Sequence, residues 1–465
     1  MRARHLLPLL LALGACKLGP NYERPELPTP ETWYDSLARD TTPPDTTFAD
    51  LPWWRVFQDT TLQQLVRTAL EQNPDLQIAA ERVTEAEARL RITRAELYPW
   101  LSAGAGASRD EFGDLTSDII SAGVGVSWQL DLFGRVRRAS ERDRALLLAT
   151  EEGRRGVVLA LVSAVATAYV DLRTSDLQLE IAGRTAESRR QYVDLAKQRF
   201  DGGVTGEIDY RQAQAQYEQA RTAVVNLQEQ VTRQENALSV LLGRAPGAVP
   251  RGRTLETQPL PASVPAGLPS AILERRPDLR AAEASLAAVT ADVGVAKALL
   301  FPNISLTGFL GFASRELTGI FSGEGAAWGA GGSLLQPLFE GGRLRANVKV
   351  SESRMRQGVL AYRGAVLRAL QETENALVAV RLAGDRTASL DSQVVYNSIS
   401  LRLAETRYEG GVAPFLEVLD AQRSLFDSEL SAADSRRQRL LAYVNLYRAL
   451  GGGWQQDSTA AAPPE

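Results

Sequence analysis

The chain has 465 residues, of which 44% are hydrophobic and 23% are charged, and its formal net charge is −4 at pH 7. This is the composition of a globular protein, and the acidic balance argues against a nucleic-acid partner, because nucleic-acid binders are usually strongly basic on one face. The only His and the only Cys of the sequence are His5 and Cys16. The rest of the chain therefore cannot form an internal disulfide, a Cys or His metal site, or a nucleophile paired with an imidazole, and no cofactor is expected.

The N-terminus, "MRARHLLPLLLALGAC", has basic residues followed by a short apolar run. The run is too short to cross a bilayer as a helix and predicts a signal peptide over residues 1–15. The string "LGAC" resembles a bacterial lipobox, which implies that Cys16 becomes the lipid-modified first residue of the mature protein. The alternative is an ordinary leader that happens to contain a Cys. Lys17 in place of an Asp after the Cys resembles the sorting pattern for the outer membrane, where acyl chains anchor a protein without spanning the bilayer.

Proline placement predicts where long helices lie. Residues 16–60 are proline-rich and are interpreted as a lipid-anchored N-terminal arm. No proline occurs from Trp100 to Ala245 or from Leu338 to Ala413. Because a proline in a helix interior costs about 3 kcal/mol, these two stretches are predicted to hold long helices.

The sequence contains an internal repeat. "NPDLQIAAERV" from Asn73 matches "RPDLRAAEASL" from Arg276, and "RFDGGV" from Arg199 matches "RYEGGV" from Arg407. The two matches are 203 and 208 residues apart, so the copies differ only by small insertions and indicate a tandem duplication. The predicted organisation is a first repeat, a proline-rich joint, a second repeat and a flexible C-terminal tail, over residues 61–245, 246–269, 270–451 and 452–465.

Each repeat carries one predicted β-hairpin. In "ISAGVGVSWQLDL" from Ile120, apolar residues alternate with small or polar ones, and the second copy alternates in the same way from Ile304. A period of two over about ten residues predicts strands, here two hairpins at about residues 101–131 and 304–338. Tryptophans near the strand ends are expected to be interfacial aromatics: Trp100, Trp128 and Trp328.

Beyond each hairpin the apolar residues recur at spacings of three and four. The run from Arg135 to Arg199 would be about 100 Å long as a helix. Shorter helices are expected from Leu62 to Leu97 and from Ser270 to Leu300. The repeated motif is interpreted as the turn between two antiparallel helices, where glycine allows a positive φ and a proline can precede the return helix. These tip-turn residues are Gly202, Gly203, Gly410, Gly411 and Pro414.

Four strands of membrane-spanning length cannot form a barrel within one chain, since membrane barrels begin at about eight strands and no strand edge can stay open in lipid. Several copies must therefore share one barrel. The spacing alone allows two copies with eight strands or three copies with twelve. The long helices would extend that barrel as a helical tube.

Seven motifs occur in an order that resembles one known family: "GPNYERP", "WW" before "FQD", "LDLFGR", "RRPDL", "FEGGRLRA", "RYEGGV" and "LDAQRSLF". Nearly the whole mature chain is similar to the outer-membrane factors of tripartite efflux systems, in their TolC-like lipoprotein branch. The resemblance implies a homotrimer with a twelve-stranded outer-membrane β-barrel, continued by a long periplasmic α-helical barrel. It also implies docking to a periplasmic adaptor protein and an inner-membrane transporter.

In this family side chains just after the second tip turn narrow the periplasmic end, and the matching residues here are Leu416 and Asp420. The simpler interpretation is that Leu416 packs and that Asp420 favours the start of a helix. Glu417 is interpreted as a first-turn acid. Arg199 and Arg407 are expected either to tie neighbouring helices to carboxylates in a closed state or to be solvated surface residues, whose ion pairs contribute about 0 to 1 kcal/mol.

The predicted function is a passive exit duct in the outer membrane for exported solutes, with a large periplasmic part. It is not expected to be an enzyme. Two alternatives stay open from the residues alone, namely a coiled-coil tether and a carboxylate-based envelope enzyme. The tether leaves two membrane-length hairpins without a role. The sequence does not select a cargo among drugs, metal ions and lipids.

Overall fold

The computed structural model describes residues 17–27, 29–34, 56, 58–112, 115–260, 269–316 and 325–452. The predicted signal peptide, the predicted lipid-attachment residue Cys16 and residues 453–465 of the predicted tail lie outside them. In chain order the elements are α1 (Thr60–Gln72), α2 (Pro74–Ala95), β1 (Trp100–Phe112), β2 (Leu115–Leu130), α3 (Arg135–Asp201), α4 (Glu207–Leu241), α5 (Ile272–Arg275), α6 (Pro277–Ala298), β3 (Asn303–Ser314), β4 (Ala326–Leu335), α7 (Arg343–Glu409) and α8 (Phe415–Ala449). Short 3₁₀ helices lie at Leu255–Thr257 and Pro269–Ala271.

The described part of the chain is mainly helical and has one four-stranded antiparallel sheet, which confirms the predicted fold class. Each copy supplies one β-hairpin and then one helical hairpin. The first helices of the two helical hairpins, α3 and α7, have 67 residues each, and the second helices, α4 and α8, have 35 each. The two copies therefore build the same unit twice.

The sheet joins the two copies of the repeat. Its strand order is β1-β2-β3-β4, with every neighbouring pair antiparallel. The central pair, β2 with β3, connects the copies, and its register places Val124 opposite Leu310. The outer strands β1 and β4 each keep one edge without a partner within the described chain. An open edge of this kind is a template for pairing with another strand.

The two faces of the sheet differ in character, because side chains alternate along each strand and paired residues share a face. We call the first the apolar face; it carries Leu101, Ala103, Ala105, Ile120, Val124, Val126, Trp128, Ile304, Leu306, Leu310, Phe312, Trp328 and Leu334, and toward the end of the first hairpin the paired Arg109 and Asp118. We call the second the small-residue face; it carries Ser102, Gly104, Gly106, Ser121, Gly123, Gly125, Ser127, Ser305, Thr307, Phe309, Gly311, Gly329, Gly331 and Ser333, and toward the strand ends also Trp100, Ile119 and Leu335.

The three predicted interfacial tryptophans do not share one face. Trp128 and Trp328 lie on the apolar face, where Trp328 is paired with Leu310. Trp100 is paired with Ser127 and therefore lies on the small-residue face. Parity along β1 decides this, because Trp100 is an even number of residues from Ser102 and Gly104.

The helix expected from Leu62 to Leu97 is two helices, α1 and α2, which meet at Asn73, and the helix expected from Ser270 to Leu300 is likewise divided into α5 and α6, which meet at Arg276. The Asn73 side-chain oxygen accepts from the main-chain N–H of Asp75 at 2.9 Å and from that of Leu76 at 3.2 Å. This is an N-cap, and Pro74 fits the first helical position because it has no N–H to leave unpaired. The prediction of one continuous helix was wrong here, because apolar residues at helical spacing continue on both sides of the cap and conceal the boundary.

The chain divides into two compact units. The first unit comprises Met1–Leu27, Ala80–Gly153 and Asp278–Ala365, and it includes the sheet. In it the Arg138 side chain, which is almost fully buried, holds the described N-terminal segment. Its guanidinium donates to the carbonyls of Leu18 at 2.8 Å and Gly19 at 3.0 Å and to the Asn21 side chain at 3.0 Å.

The second unit comprises Pro28–Ala79, Arg154–Pro277 and Val366–Glu465. Its apolar core is built by α1, α3 and α4 with Val444 of α8; the largest members are Leu62, Leu65, Leu161, Val165, Tyr169, Leu172, Leu238 and Leu242. By length and composition α3 could cross a membrane, but 44% of its apolar 18-residue window is buried. A core helix passes the same test, so hydropathy alone does not place α3 in a membrane.

Candidate functional site

The two repeated turns close in the same way. We call residues 199–206 the first tip turn and residues 407–414 the second tip turn. In the first, the N–H of Val204 donates to the Arg199 carbonyl at 2.8 Å, and in the second Val412 donates to the Arg407 carbonyl at 3.0 Å. Both turns need one left-handed residue, and it is Gly203, with φ of 68°, and Gly411, with φ of 75°. Each closes a long helix as a left-handed C-cap.

The other glycine of each pair, Gly202 and Gly410, does not have a positive φ. A Cβ built on Gly202 would lie 3.3 Å from the Gln198 carbonyl oxygen, and one built on Gly410 would lie 3.3 Å from the Thr406 carbonyl oxygen. The conformational demand for glycine is therefore at the second position of each pair.

The two return helices begin differently. Gly206 is the N-cap of α4, and Pro414 is the N-cap of α8, and neither has a side-chain cap bond. The first turn of α4 has two acidic residues, whereas that of α8 has only Glu417. An acid in the first turn stabilises a helix by interacting with its positive end.

One apolar cluster lies beneath both tip turns. Its second-copy members are Ala404, Tyr408, Phe415, Val418 and Leu419, and its first-copy members are Ala196 and Ala213. The ring centroid of Phe415 lies 5.2 Å from that of Tyr408 and 6.2 Å from that of Tyr192, distances typical of favourable aromatic pairs. The first copy has Glu207 where the second has Phe415, so the second hairpin supplies most of the shared core.

Arg199 of the first hairpin contacts Tyr408 of the second. Its guanidinium carbon lies 4.7 Å from the centroid of the Tyr408 ring, within the range of a cation–π interaction. Burial raises the pKa of the Tyr408 hydroxyl, and the positive charge of Arg199 acts in the opposite direction. Among the described residues, the Arg199 Nε and the Tyr408 hydroxyl are buried and have no hydrogen-bond partner.

Arg407 pairs within its own hairpin. Its Nε lies 3.3 Å from the Glu417 carboxylate, and the two side chains are 56% and 44% exposed. An exposed pair of this kind contributes about 0 to 1 kcal/mol. It joins the end of α7 to the first turn of α8.

Leu416 and Asp420 lie one turn apart on α8, on the face directed away from the apolar cluster. Leu416 is 54% exposed, and Asp420 is exposed as well. Their neighbours Phe415, Val418 and Leu419 are buried. The chain itself therefore makes little use of these two side chains, which are free to face a shared axis or another chain.

Sequence reasoning did not identify Tyr192, Tyr408 and Phe415 as tip residues. Burial, followed by a hydrogen bond to Glu405, raises the pKa of Tyr192 far above its ordinary value. A signal was present for Tyr408, because it follows Arg407 as Phe200 follows Arg199 in the other copy. Apolar or aromatic residues that recur beside a repeated turn are candidates for its core.

No group of three His, Cys, Asp or Glu side chains that could hold a metal ion occurs in the part of the chain that the structure describes. The tip turns contain arginine, glycine and carboxylates arranged along helix ends. Such an arrangement can pair charges and pack against other helices.

Comparison with protein families gives a match to the outer membrane efflux protein model over residues 65–244 and again over residues 268–452. The chain is 36% identical to the cation efflux system protein CusC of Escherichia coli over 457 residues, which cover 97% of this chain and 99% of that protein. It is 37% identical over 462 residues to the outer membrane protein OprJ of Pseudomonas aeruginosa, covering 97% and 95% of the two chains.

The fold is also similar to solved structures. The MtrE outer membrane channel of Neisseria gonorrhoeae, determined in an open state, has a TM-score of 0.85 and 34% sequence identity. The similarity covers 94% of this chain and 98% of MtrE.

Proposed function

Since the chain belongs to the outer membrane efflux protein family, we propose that it is the outer-membrane exit duct of a tripartite efflux pump. The observation that carries this proposal is the four-stranded sheet, with one apolar face and two open edges, followed in each copy by a helical hairpin. Solutes would cross the outer membrane passively, and the energy would come from the partner pump.

The sheet supports a barrel made by three chains. Its strands have 13, 16, 12 and 10 residues, enough to cross a bilayer. Three copies of four strands give twelve, an even number within the range of outer-membrane barrels. The apolar face then contacts lipid, and the small-residue face lines the lumen.

The internal duplication also predicts the register between neighbouring chains. Leu97 and Leu300 occupy the same place in the two copies of the repeat. A side chain near the end of the second strand of each hairpin donates to their carbonyls: the Trp128 Nε1 to Leu97 at 3.0 Å and the Gln336 side chain to Leu300 at 3.1 Å. Strands β1 and β3 are therefore equivalent, as are β2 and β4. Pairing of β4 with β1 of the next chain should then repeat the pairing of β2 with β3.

Within the chain Val126 is paired with Gly308 and Gly125 with Phe309. The equivalent pairs across the subunit boundary are Leu334 with Ala105 and Ser333 with Gly106. Both residues of each pair lie on the same face of the sheet, as continuous pleating requires. With this register the barrel closes while the apolar face and the small-residue face each continue on the same side from one chain to the next.

Cysteine cross-linking tests the proposed barrel. The double variant Gly106→Cys and Ser333→Cys should give an oxidised three-chain species, because directly opposite residues in antiparallel strands have Cα atoms about 4.5 to 5.5 Å apart. Gly106→Cys with Gly331→Cys, shifted by two residues, is the matched control and should cross-link poorly. A preference for the shifted pair would contradict the register, and a monomer that inserts and conducts would contradict the shared barrel.

Partner proteins and the closed end form part of the same proposal. We place the three copies of Leu416 and of Asp420 as successive rings at the periplasmic end, with Arg199 and Arg407 as ties of the closed state. The exposure of Leu416 and Asp420 beside a buried cluster supports this placement.

We further propose that Cys16 carries lipid and that the tip turns dock to a periplasmic adaptor protein, which joins the duct to an inner-membrane transporter.

The duct's own residues do not supply a metal relay. After Cys16 the sequence has no His, no further Cys and a single Met, Met355. These are the residues that bind soft metal ions. We therefore propose that cargo is selected by the pump.

A further inference from the structure

Phe309 is a large aromatic residue on a face otherwise built mainly of Gly, Ser and Thr. Between the strand ends it is the only aromatic side chain of the small-residue face in the described sheet. Its two cross-strand partners are both glycines, Gly125 on β2 and Gly329 on β4. No side chain on either neighbouring strand stands directly beside its ring.

The ring lies over two further glycines. A Cβ built on Gly123 would be 2.7 Å from the Phe309 Cε2, and one built on Gly311 would be 2.9 Å from its Cζ. Real Cβ atoms do not approach so closely, so only glycine permits this position of the ring. Aromatic side chains that cover glycines in this way stabilise strands that glycine would otherwise weaken.

The ring is not fully covered, since Phe309 is 38% exposed. The glycines occupy the side toward the sheet, so the exposed part of the ring is directed away from the wall. Leu310, the next residue, is on the opposite face of the sheet and is 71% exposed.

The feature belongs to the second copy of the repeat. The matching residue of the first copy is Gly106, opposite Ser121, and a Cβ there would have only the Ser121 hydroxyl within 4.0 Å. A three-chain barrel therefore carries three phenyl rings at one height, separated by three open glycine positions.

We propose that Phe309 is a solute-contact residue of the duct, and that its three copies form an aromatic belt that transiently binds hydrophobic organic cations leaving through the barrel. This inference rests on the proposed function, because it requires the small-residue face to line the lumen. A phenyl face attracts a cation above it through its quadrupole, and it offers apolar contact that the surrounding Gly, Ser and Thr do not.

Single-channel recording with tetraphenylphosphonium as the probe tests the belt. Added on the barrel side of the reconstituted protein, the cation should cause brief blockades of the wild-type current. Phe309→Ala should shorten the blockades about two- to fivefold, the range expected for loss of one exposed cation–π contact. Leu310→Ala, on the opposite face, should leave the blockades unchanged.

A substitution in the first copy of the repeat is expected to have the opposite effect on the blockades. Gly106→Phe places a ring at the open first-copy position and should lengthen the blockades. Phe309→Leu keeps an apolar side chain over the glycines and should shorten them; it replaces Phe309→Ala if that variant does not assemble. Blockades of wild-type length in the Phe309 variants, or none in a conducting wild type, would overturn the inference. A wild type that does not conduct would instead refute the proposed duct.

Discussion

The side-chain amide of Asn73 donates to the main-chain carbonyl of Leu241 at 2.9 Å, and so joins the start of α2 to the last residue of α4. The second copy makes the same connection with a different residue, because Arg276 donates to the carbonyl of Ala449 at 3.1 Å. Asn73 therefore caps two helices, one with its oxygen and one with its amide.

Replacing Asn73 with Ala should destabilise the protein by roughly 2 kcal/mol, since an N-cap contributes about 1 kcal/mol and the partly buried Leu241 carbonyl, left without its donor, costs about 1 kcal/mol, the low end of the range for an unsatisfied carbonyl. The denaturant midpoint of the detergent-solubilised protein measures the loss. Asn73→Ser keeps the N-cap acceptor but cannot reach Leu241, so its denaturant midpoint should lie between those of the wild type and Asn73→Ala. Identical midpoints for all three proteins would show that neither cap contributes.

The proposed constriction predicts a change in conductance that depends on the copy of the repeat. Wild-type channels should have low conductance and prefer cations, because three Asp420 carboxylates face one another and three Leu416 side chains resist wetting. Leu416→Ala with Asp420→Ala should raise the conductance several-fold and weaken the preference. The first-copy variant, Ile208→Ala with Gln212→Ala, should have a smaller effect. If the double variant Leu416→Ala with Asp420→Ala still forms trimers and its conductance and cation preference are unchanged, the constriction lies elsewhere.

The contact between Arg199 and Tyr408 predicts opposite results for two substitutions of the tyrosine. Tyr408→Phe keeps the ring and removes a buried hydroxyl without a partner in the described structure, so stability should be unchanged or rise by about 1 kcal/mol. Tyr408→Leu removes the aromatic face that Arg199 contacts, so it should lower the stability more than Tyr408→Phe does.

A double-mutant cycle with Arg199→Ala isolates the interaction, expected at about 0.5 to 2 kcal/mol for a partly desolvated cation–π pair. The unfolding free energies of the four proteins give the coupling directly. A coupling energy of zero would mean that the arginine is merely solvated beside the ring.

Glu283 predicts that low pH releases part of the N-terminal segment. Its carboxylate accepts from Arg24 at 2.8 Å and from the Tyr22 hydroxyl at 3.0 Å. Burial alone would raise its pKa, but these hydrogen bonds outweigh burial and hold the pKa below the ordinary value of 4.5. A lowered pKa means that stability is present above pH 4.5 and is lost as the pH falls through the folded-state value.

Hydrogen exchange measured from pH 6 down to about pH 3 should therefore show residues 22–24 losing protection near the acidic end of the range. Residues 18–21 are the internal control, since Arg138 holds them by carbonyl and amide oxygens that do not titrate in this range. Glu283→Gln should expose residues 22–24 at neutral pH. Equal protection of both segments at every pH would show that Glu283 does not hold the segment.

The sequence predicted the β-hairpins well and the tip turns partly, for different physical reasons. Alternation along "ISAGVGVSWQLDL" reports directly which face each side chain occupies, so the strands and their faces followed from it. The glycine pairs marked the turns, but only the backbone shows that Gly203 and Gly411 carry the left-handed conformation. The break at Asn73 was missed because apolar residues continue at helical spacing on both sides of it.

Contacts between distant segments could not be predicted in this way. The stacking of Arg199 on Tyr408 joins two copies of a motif, and periodicity within one helix does not say which helices are neighbours. The ring of Phe309 over Gly123 and Gly311 depends on the register of β2 with β3. Such relationships require the tertiary structure.

The two open sheet edges have a consequence for biogenesis. β4, "AAWGAGGSLL", contains three glycines and three alanines, residues that are depleted in strands, and one of its sides has no partner within the described chain. A newly secreted monomer thus exposes a weak edge and an apolar face to water, a state prone to aggregation. Strand pairing with a second chain would stabilise that edge, which makes folding of the sheet depend on protein concentration. Maturation should accordingly be a bimolecular, chaperone-sensitive process in which insertion into lipid waits for assembly.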